Sequence, residues 1–405
     1  MTPTTELREP APGLLSRRLF DFAGRIPEID PQLTRVLVPW MMRHPRYIPG
    51  FLRLAHTLKQ SHRVRAREQA AGVRVPPFLI LSVTSRCNLR CTGCYAGAVG
   101  TVTNAPAQPG LELTEWRRVV AEAAGMGVMA FIVAGGEPFL LPGIVGLFGE
   151  FPDRLFIVFT NGTALKPADC AALSKLSNVV VMVSVEGDRA LTDHRRGNGV
   201  FDRALGCLDR LANAGVLTGI AVTIEPRNVD YWSQPANIDA LAAHSGPLFM
   251  FIEEIPAASN ESGCNSSRQL TPEQQRRFRQ VVLAYRERQT GGAFIIHSPA
   301  DEEVLGGCVS AGRGFAHIAP SGDVTACPVS ALATHSVRKS NLREALSSPL
   351  FALIRENGHL LETAGHPCGL SAHATELEAM AAPLGAYHSG TPDPVDAENW
   401  PVTIR

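Results

Sequence analysis

Six short, nearly continuous apolar runs alternate with amphipathic stretches in the middle of the chain. The runs cover residues 78–84, 129–133, 155–159, 179–185, 220–224 and 248–252. Apolar runs that lack polar alternation indicate strands buried on both faces, which is typical of parallel sheets. The pattern therefore predicts six parallel strands joined by five crossovers.

The segments between these runs have helical periodicity. Helices are predicted over residues 114–124, 167–176, 200–214 and 237–243. A strand–helix series of this kind forms either a barrel or an open doubly wound sheet, and in both folds ligands bind at the carboxyl ends of the strands. Functional residues are therefore expected directly after strands.

The chain divides into four predicted regions. They are a helical, basic N-terminal extension (1–76), a core barrel (77–256), a polar linker with a long helix at 271–289 that completes the core (257–303), and a small irregular unit rich in Gly, Pro, Ser and His (304–405). A length of 405 residues is compatible with two or three folded units.

The charge balance and the cysteine content limit the classes of function that the chain can have. Lys+Arg 38 and Asp+Glu 38 cancel, so no overall basic field favours a nucleic-acid partner. Neither a secretory signal nor an apolar run of membrane-span length is evident, which predicts a cytoplasmic protein. Nine cysteines in a reducing compartment point to metal ligands or core thiols rather than disulfides.

Three cysteines follow the first apolar run at a spacing that suits metal ligation. Cys87, Cys91 and Cys94 form a Cys-x3-Cys-x2-Cys loop. Three thiolates leave a tetrahedral site one ligand short, which fits a catalytic zinc or an iron–sulfur cluster with one open iron. No nearby His or second Cys pair completes a zinc site, so the spacing favours the cluster.

Further motifs follow the next three runs: Gly135-Gly136-Glu137-Pro138, Asn161-Gly162-Thr163 and Ser184-Val185-Glu186-Gly187. In this order the set resembles the radical S-adenosylmethionine (SAM) superfamily. The resemblance implies an α/β fold with a partial (β/α)6 TIM-like barrel, and a 4Fe–4S cluster on Cys87, Cys91 and Cys94. It also implies that SAM binds the open iron and is cleaved by one electron to a 5′-deoxyadenosyl radical, which abstracts hydrogen from an organic substrate.

Seven residues are expected around the cofactor: Gly135, Gly136, Glu137, Asn161, Ser184, Glu186 and Arg196. The glycine pair lets backbone approach the methionine moiety, and Glu137 or adjacent carbonyls accept hydrogen bonds from its ammonium. Ser184 and Glu186 suit the ribose hydroxyls, and Arg196 suits the SAM carboxylate. Each of three residues has an alternative role: Glu137 as a solvent-exposed carboxylate in a turn, Asn161 as a residue that shapes a turn, and Arg196 as a solvent-exposed residue at the end of a helix.

One position departs from the family pattern. The family often has an aromatic residue just before the third cysteine, where this chain has Gly93, and Tyr95 follows two positions later. The adenine contacts are therefore less defined by the sequence than the cluster ligands.

A second group of cysteines lies in the C-terminal region. The spacing of Cys308, Gly322 and Cys327 resembles the opening of a SPASM or twitch extension. Thirteen residues separate Cys308 from Gly322, and four separate Gly322 from Cys327. We expect at most one auxiliary iron–sulfur cluster, on Cys308, Cys327 and Cys368, with Cys264, His366 or the substrate as fourth ligand. A zinc site, or a tail without a cluster, is the alternative. Cys170 and Cys207 fall in helical patterns and are interpreted as core thiols.

The N-terminal extension is basic and amphipathic. Nine Lys and Arg side chains lie between residues 35 and 74 against the single acid Glu68. They interleave with apolar side chains, as in a helix lying on a membrane surface, although a collar packed on the barrel is the alternative. Pro39, Pro45 and Pro49 are expected to break the segment. Its pattern does not predict the strand-rich peptide-recognition domain that many peptide-modifying relatives carry.

The predicted function is a radical SAM enzyme acting on a small-molecule or lipid-like substrate, with an electron donor such as flavodoxin or ferredoxin and possible peripheral contact at the inner face of the membrane. A maturase acting on a ribosomal peptide is the alternative within the same family. A non-catalytic iron–sulfur or zinc protein is the alternative from another class.

Overall fold

The computed structural model describes residues 31–103, 109–244, 246–254, 268–288, 292–363 and 368–390. Within them one sheet of eleven strands runs through the chain. The strands are β1 (Phe78–Ser82), β2 (Ala130–Ala134), β3 (Leu155–Thr160), β4 (Val179–Ser184), β5 (Leu217–Ile224), β6 (Leu248–Glu253), β7 (Phe294–Ser298), β8 (Phe315–Ile318), β9 (Asp323–Thr325), β10 (Leu332–Ser336) and β11 (Tyr387–His388).

The strand order identifies the fold class. The order is β11-β10-β9-β8-β1-β2-β3-β4-β5-β6-β7, and every pair from β8 to β7 is parallel. From β1 to β7 each strand lies beside its predecessor, so right-handed crossovers place the helices on one face, as in a barrel. The predicted partial TIM-like barrel is confirmed. In the described residues no pairing joins β7 to β11.

Two parallel strands were not predicted from the apolar runs. β7 extends the sheet beyond β6, and β8 pairs in parallel with β1 on the other side. Both are short, and β7 includes a histidine and a serine while β8 includes a histidine, so their hydrophobic signal is weak. The parallel part of the sheet therefore has eight strands rather than six.

A helix lies at each position where the periodicity predicts one, and further helices occur that the sequence did not predict. They are α1 (Pro31–Arg43), α2 (Tyr47–Ala70), α3 (Tyr95–Ala98), α4 (Leu113–Gly125), α5 (Ile144–Glu150), α6 (Pro167–Leu173), α7 (Arg189–Arg196), α8 (Val200–Asn213), α9 (Val229–Trp232), α10 (Pro235–His244), α11 (Pro272–Arg286), α12 (Leu342–Leu346), α13 (Pro349–Glu356), α14 (Gly369–Ala372) and α15 (Ala374–Ala381). Pro39 lies inside α1 and does not end it.

The two faces of the sheet are buried to different degrees. The helix-covered face holds the main core, in which Phe131 and Phe156 stack with ring centroids 5.3 Å apart. The opposite face carries a smaller apolar cluster around Val180, Met182 and Ala221. Several side chains on that face are only half-buried, namely Ile80, Ile132, Ile157, Phe159, Met250 and Ile252. The interior of the open barrel is therefore apolar and partly accessible.

Helix α2 packs on the amino ends of the strands. Tyr47 Oη donates to the Gly215 carbonyl at 3.1 Å, and Arg65 Nη1 donates to the Gly127 carbonyl at 2.7 Å. A Cβ on Gly50 would lie 2.0 Å from Ser177 Oγ, so α2 and this loop approach very closely. These partners precede β5, β2 and β4, which places α2 at the end of the barrel opposite the strand carboxyl ends.

The C-terminal region continues the same sheet. After β8 the chain turns at Gly322, whose φ of +95° favours glycine, and returns as β9 antiparallel to β8. Across the described ranges, no helix combines the length and apolar character needed to cross a membrane.

Candidate functional site

The three cysteines of the predicted cluster lie on the loop that follows β1. Cys87, Cys91 and Cys94 are half-buried, and the charge of a Cys94 thiolate would raise the pKa of both Cys87 and Cys91. Burial raises the pKa of Cys87 and Cys91, and the guanidinium of Arg196 opposes the rise at Cys91. The thiols are thus close neighbours in a partly desolvated loop, a donor set that suits an iron–sulfur cluster.

The glycine pair after β2 packs directly against the start of this loop. Gly136 N donates to the Thr84 carbonyl at 2.7 Å, and Glu137 N donates to the Arg86 carbonyl at 2.9 Å. A Cβ on Gly136 would lie 2.0 Å from the Arg86 carbonyl oxygen, and Gly135 has a φ of +113°. Both glycines are therefore required for close approach to the residues immediately before Cys87.

Glu137 is directed into the protein. Its side chain is 0% exposed and accepts hydrogen bonds from Thr160 Oγ1 at 2.7 Å, Asn161 N at 2.8 Å and Phe139 N at 3.2 Å. Burial raises the pKa of Glu137, and these donors oppose the rise. Because its carboxylate is already satisfied, the adjacent carbonyls rather than this side chain are free to accept from a cofactor ammonium.

Asn161 links β3 to the cysteine loop. Its Nδ2 donates to Asn88 Oδ1 at 2.9 Å, and its Oδ1 accepts from Thr163 N at 2.8 Å. Asn88 in turn donates to Thr163 Oγ1 at 2.7 Å. The side chain therefore shapes the turn after β3 and holds Asn88, the residue next to Cys87.

Glu186 and Arg196 form a buried pair beside Cys91. Arg196 Nη2 lies 2.5 Å from Glu186 Oε1, and Arg196 Nη1 lies 3.9 Å from Cys91 Sγ. Glu186 Oε2 also accepts from Thr223 N at 2.9 Å. Ser184, half-buried at the end of β4, does not join this pair. The structure thus brings Arg196 and Glu186 to the cysteine loop.

Arg195 is the residue that connects most elements at this site. Its Nη1 lies 2.5 Å from Glu254 Oε2 and 3.3 Å from Glu225 Oε2, and its Nη2 donates to the Gly93 carbonyl at 3.2 Å. Thr92 N donates back to the Arg195 carbonyl at 2.8 Å. Burial lowers the pKa of Arg195, but the surrounding carboxylates outweigh it and raise the pKa overall. This cation clamps the cysteine loop to the ends of β5 and β6.

Two members of this network, Glu225 and Glu254, are absent from the set of residues predicted from the sequence. Each comes directly after a strand, β5 or β6, which is the signal that identifies the other site residues. Burial raises the pKa of Glu254, and Arg195 opposes the rise.

The structure also explains the departure at Gly93. A Cβ there would lie 2.3 Å from Glu254 Oε1 and 2.3 Å from Arg268 Nη1. These two atoms are buried without a hydrogen bond and lie 3.7 Å apart. The charged pair occupies the space that an aromatic side chain would need. Tyr95, by contrast, lies within electrostatic range of both Cys94 and Cys327.

The three C-terminal cysteines come together in a second, more buried group. Burial raises the pKa of Cys308 to about 12 and of Cys368 to about 11, and it raises that of Cys327 well above its usual range. Cys327 is within electrostatic range of the other two. Cys170 and Cys207 lie in the helix-side core, as predicted. The candidate fourth ligands Cys264 and His366 lie outside the described residues.

Neither of the two cysteine groups surrounds a common point at which a single metal ion could bind. Within the ranges that the structure describes, no three His, Cys, Asp or Glu side chains converge closely enough to hold a single metal ion.

Comparison with known proteins shows which proteins this chain resembles. The radical SAM superfamily profile matches residues 81–233. The chain is 30% identical over 270 residues to mycofactocin maturase MftC of Mycolicibacterium smegmatis, covering 64% of this chain and 65% of the relative. It is 29% identical over 211 residues to Fe-coproporphyrin III synthase of Methanosarcina barkeri, covering 51% of each protein. The chain thus spans less than two thirds of either relative.

A solved structure shares the fold. Streptococcus suis SuiB bound to S-adenosylmethionine superposes with a TM-score of 0.61 at 17% identity, covering 73% of this chain and 72% of SuiB.

Proposed function

We propose, from the membership of this chain in the radical SAM superfamily, that it is a cytoplasmic enzyme that uses a 4Fe–4S cluster and SAM to abstract hydrogen from a peptide substrate. The observation that carries the proposal is the loop with Cys87, Cys91 and Cys94 at the carboxyl edge of the sheet. Superfamily membership supports the two cofactors, whereas the substrate and the whole reaction are our inference. An electron donor such as flavodoxin or ferredoxin completes the proposed system.

The residues of the chain have positioning roles in this proposal. When bound, the cluster and SAM supply a one-electron cleavage that yields methionine and a 5′-deoxyadenosyl radical. Arg195 and the glycine pair Gly135-Gly136 hold the cysteine loop against three strand ends. Arg196 places a positive charge beside Cys91, where it stabilises negative charge on the thiolate. Ser184, half-buried and facing the interior, is the proposed ribose contact.

The relatives favour a peptide over the small-molecule or lipid-like substrate that the sequence first suggested. MftC is named as a maturase, and SuiB has been solved with its precursor peptide SuiA, although likeness to SuiB speaks to the fold alone. A peptide that reached the strand ends would meet the partly accessible apolar side chains of the barrel interior.

A small molecule is the second candidate. Fe-coproporphyrin III synthase is named for a tetrapyrrole product, and the described part of the N-terminal extension is helical rather than strand-rich. A lipid has less support, because α2 lies at the opposite end of the barrel from the cysteine loop. Contact of α2 with a membrane would not bring lipid to that site.

Peripheral membrane contact is proposed as a separate property of α1 and α2. Met42, Ile48 and Leu52 are 77%, 43% and 62% exposed, and we call them the N-terminal patch. Arg43, Arg46, Arg53, Lys59 and Arg63 are exposed in the same stretch of chain, and no acidic residue occurs between positions 31 and 67. Exposed apolar side chains in a segment that carries only basic charges suit an anionic bilayer.

Formation of 5′-deoxyadenosine tests the proposed enzyme class. Anaerobically reconstituted wild type with dithionite and SAM is expected to form it, Cys91→Ala is expected to form none, and Cys170→Ala is the matched control, since Cys170 is a buried core thiol. Product from Cys91→Ala, or none from the reconstituted wild type, would contradict the proposal and favour a non-catalytic metalloprotein.

The substrate class has its own test. Cell extract is added to the reconstituted enzyme before and after exhaustive protease digestion, and stimulation of 5′-deoxyadenosine formation is measured. Stimulation that digestion removes supports a peptide. Stimulation that survives digestion and passes a small-molecule filter supports the second candidate instead.

A further inference from the structure

A cavity lies at the amino ends of β5, β6 and β7, which is the end of the barrel opposite the cysteine loop. Its volume is about 620 Å³, a size that suits a small-molecule ligand. Its walls come from α1, α8, α10, the segment after α11 and the segments that lead into the three strands. The polar and aromatic residues in its lining are Trp40, Arg43, His44, Thr218, Asp239 and Arg288.

Hydrogen bonds hold the floor of this cavity in place. Thr218 is 1% exposed, and its Oγ1 accepts from Gly246 N at 2.9 Å. Phe294 N donates to the Pro247 carbonyl at 2.7 Å. The segments that lead into β6 and β7 are therefore tied to their neighbouring strands, and the cavity is formed before a ligand arrives.

Positive charge is in excess around the cavity. Asp239 is the one acid among the described residues that line it, and both of its oxygens are engaged. Its Oδ1 accepts from Tyr285 Oη at 2.6 Å, and its Oδ2 accepts from Arg288 Nη1 at 2.9 Å. In the described part of the chain, Arg43 forms no ion pair with a carboxylate. Burial and two neighbouring arginines lower the pKa of His44, in keeping with this excess.

Trp40 adds a hydrogen-bond donor that the described residues leave unused. The residue is 8% exposed, and its ring packs against Tyr47 and His44 with centroids 4.6 Å and 4.4 Å away. Among those residues, no acceptor lies within hydrogen-bond distance of its indole N–H. Buried donors seldom stay unpaired, so a group from outside these residues is the natural acceptor.

We propose that this cavity binds an organic phosphate, with the phosphate group on Arg43 and Arg288 and the organic part against Trp40. Guanidinium groups bind phosphate oxygens through paired N–H donors. A phosphate offers more acceptor oxygens than a carboxylate, which suits a lining with two guanidinium groups, an indole N–H and an imidazole. This site is separate from the cysteine loop, so the inference does not depend on the cluster or on SAM.

Two sources share this chemistry, namely soluble phosphate esters and the headgroups of phospholipids. Met42 next to Arg43 in the chain is 77% exposed, so a lipid bound at the cavity would have apolar protein surface beside it. The experiment therefore has one arm for each source.

Isothermal titration calorimetry of the full-length, reconstituted protein tests the proposal with three probes. Phenyl phosphate represents a soluble ester, monomeric dihexanoyl phosphatidic acid represents a lipid headgroup, and phenol is the uncharged control. Saturable binding of a phosphate probe at one site per chain is expected, with no binding of phenol. The probe with the lower Kd assigns the source.

Two variants locate the binding at the cavity. Arg43→Gln is expected to raise the Kd about tenfold, the effect of losing a charge-assisted hydrogen bond. Trp40→Phe keeps an aromatic ring but removes the N–H, and it is expected to raise the Kd about threefold, because a neutral donor contributes less. Arg53→Gln is the matched control, since Arg53 is exposed on α2 outside the cavity lining, and it should bind as the wild type does.

Three results would overturn the inference. Absence of binding by both phosphate probes would show that the cavity takes no phosphate. An unchanged Kd in both Arg43→Gln and Trp40→Phe would place the binding elsewhere on the protein. Equal weakening by Arg53→Gln would indicate general attraction of anions to a basic segment. The enzyme class is judged separately, by 5′-deoxyadenosine formation in the unmodified chain.

Discussion

Arg196 Nη1 lies 3.9 Å from Cys91 Sγ, while its Nε donates to Glu186 Oε1 at 2.8 Å. The guanidinium thus joins the thiol loop after β1 to the end of β4. A cation held at this distance by a buried carboxylate stabilises negative charge on the thiolate. The same group is the residue that the sequence assigns to the SAM carboxylate, so its two roles can be separated experimentally.

Replacing Arg196 by Gln is expected to lower the reduction potential of the barrel cluster and to slow 5′-deoxyadenosine formation at least tenfold. Unit charges 4 Å apart interact by about 4 kcal/mol at an effective dielectric constant near 20, and about a third of that gives a tenfold effect. Redox titration followed by EPR gives the potential. Arg196→Lys keeps the positive charge, so its reduction potential and its rate should lie between those of the wild type and of Arg196→Gln. Weaker SAM binding at an unchanged potential would instead assign Arg196 to the cofactor carboxylate.

Gly136→Ala is expected to abolish loading of the barrel cluster. The added Cβ would lie 2.0 Å from the Arg86 carbonyl oxygen, and because its nearest neighbours are all backbone atoms of Arg86, no side chain can move aside to make space. The cysteine loop would therefore move. Gly146→Ala is the matched control, since a Cβ there meets nothing within 4 Å. Visible absorbance and iron content after reconstitution are measured, and normal loading of Gly136→Ala would show that the loop tolerates the displacement.

Arg195→Met is expected to destabilise the apoprotein by about 3–5 kcal/mol, because it leaves buried Glu186, Glu225 and Glu254 without their shared cation. Arg189→Met on the same helix removes an exposed pair with Asp202 and is expected to lower the free energy of unfolding far less, because exposed ion pairs contribute little. Urea unfolding followed by circular dichroism measures both. A similar loss in the free energy of unfolding for the two variants would show that Arg195 does not hold the cysteine loop to the strand ends.

The N-terminal patch is expected to bind anionic vesicles in a salt-sensitive way. Arg43, Arg53 and Lys59 are replaced together by Glu, and Arg46 is retained because it donates to the carbonyls of Ala214 and Gly215. Each basic side chain near the surface contributes about 1 kcal/mol, so charge reversal should remove binding.

A charge-matched control carries Arg203, Arg227 and Arg276 as Glu, at exposed positions outside the patch. Co-sedimentation with phosphatidylserine-containing and purely zwitterionic vesicles is compared. Equal sedimentation of both variants, or concentration-dependent self-association of the wild type without vesicle binding, would return α1 and α2 to the collar interpretation.

Stability should fall on mild acidification because of His317. Its ring bonds Ser82 Oγ and Thr325 Oγ1, each at 2.8 Å, and burial lowers its pKa to about 3. Between pH 6.5 and 3 the unfolded chain binds a proton there that the folded protein does not, so stability is lost as pH falls below 6.5. Wild type should lose up to about 2 kcal/mol more than His317→Gln between pH 7 and 5.

Urea unfolding at the two pH values checks this prediction. His56→Gln replaces an exposed histidine and serves as the control. Equal loss of stability in wild type and His317→Gln would assign the acid sensitivity to other groups.

Local sequence was sufficient for the strands β1 to β6 and for the helices α4, α6, α8, α10 and α11, because burial on both faces and helical periodicity are encoded in consecutive residues. It also located the motifs, since parallel strands bring their carboxyl ends to one edge. Cys87, Asn161 and Glu186 lie there as a consequence. The short strands β7 and β8 carried too few apolar residues to be recognised.

Tertiary structure alone decided which side chains pair. Arg195 meets Gly93, which is 102 residues earlier, and Glu254, which is 59 residues later, and no local pattern encodes such partners. The sequence assigned Glu137 to solvent or to SAM, but the packing of β2 against β3 buries it among three donors. Burial and ion pairing depend on long-range packing, and that packing determines whether a carboxylate is solvated or paired with a buried cation.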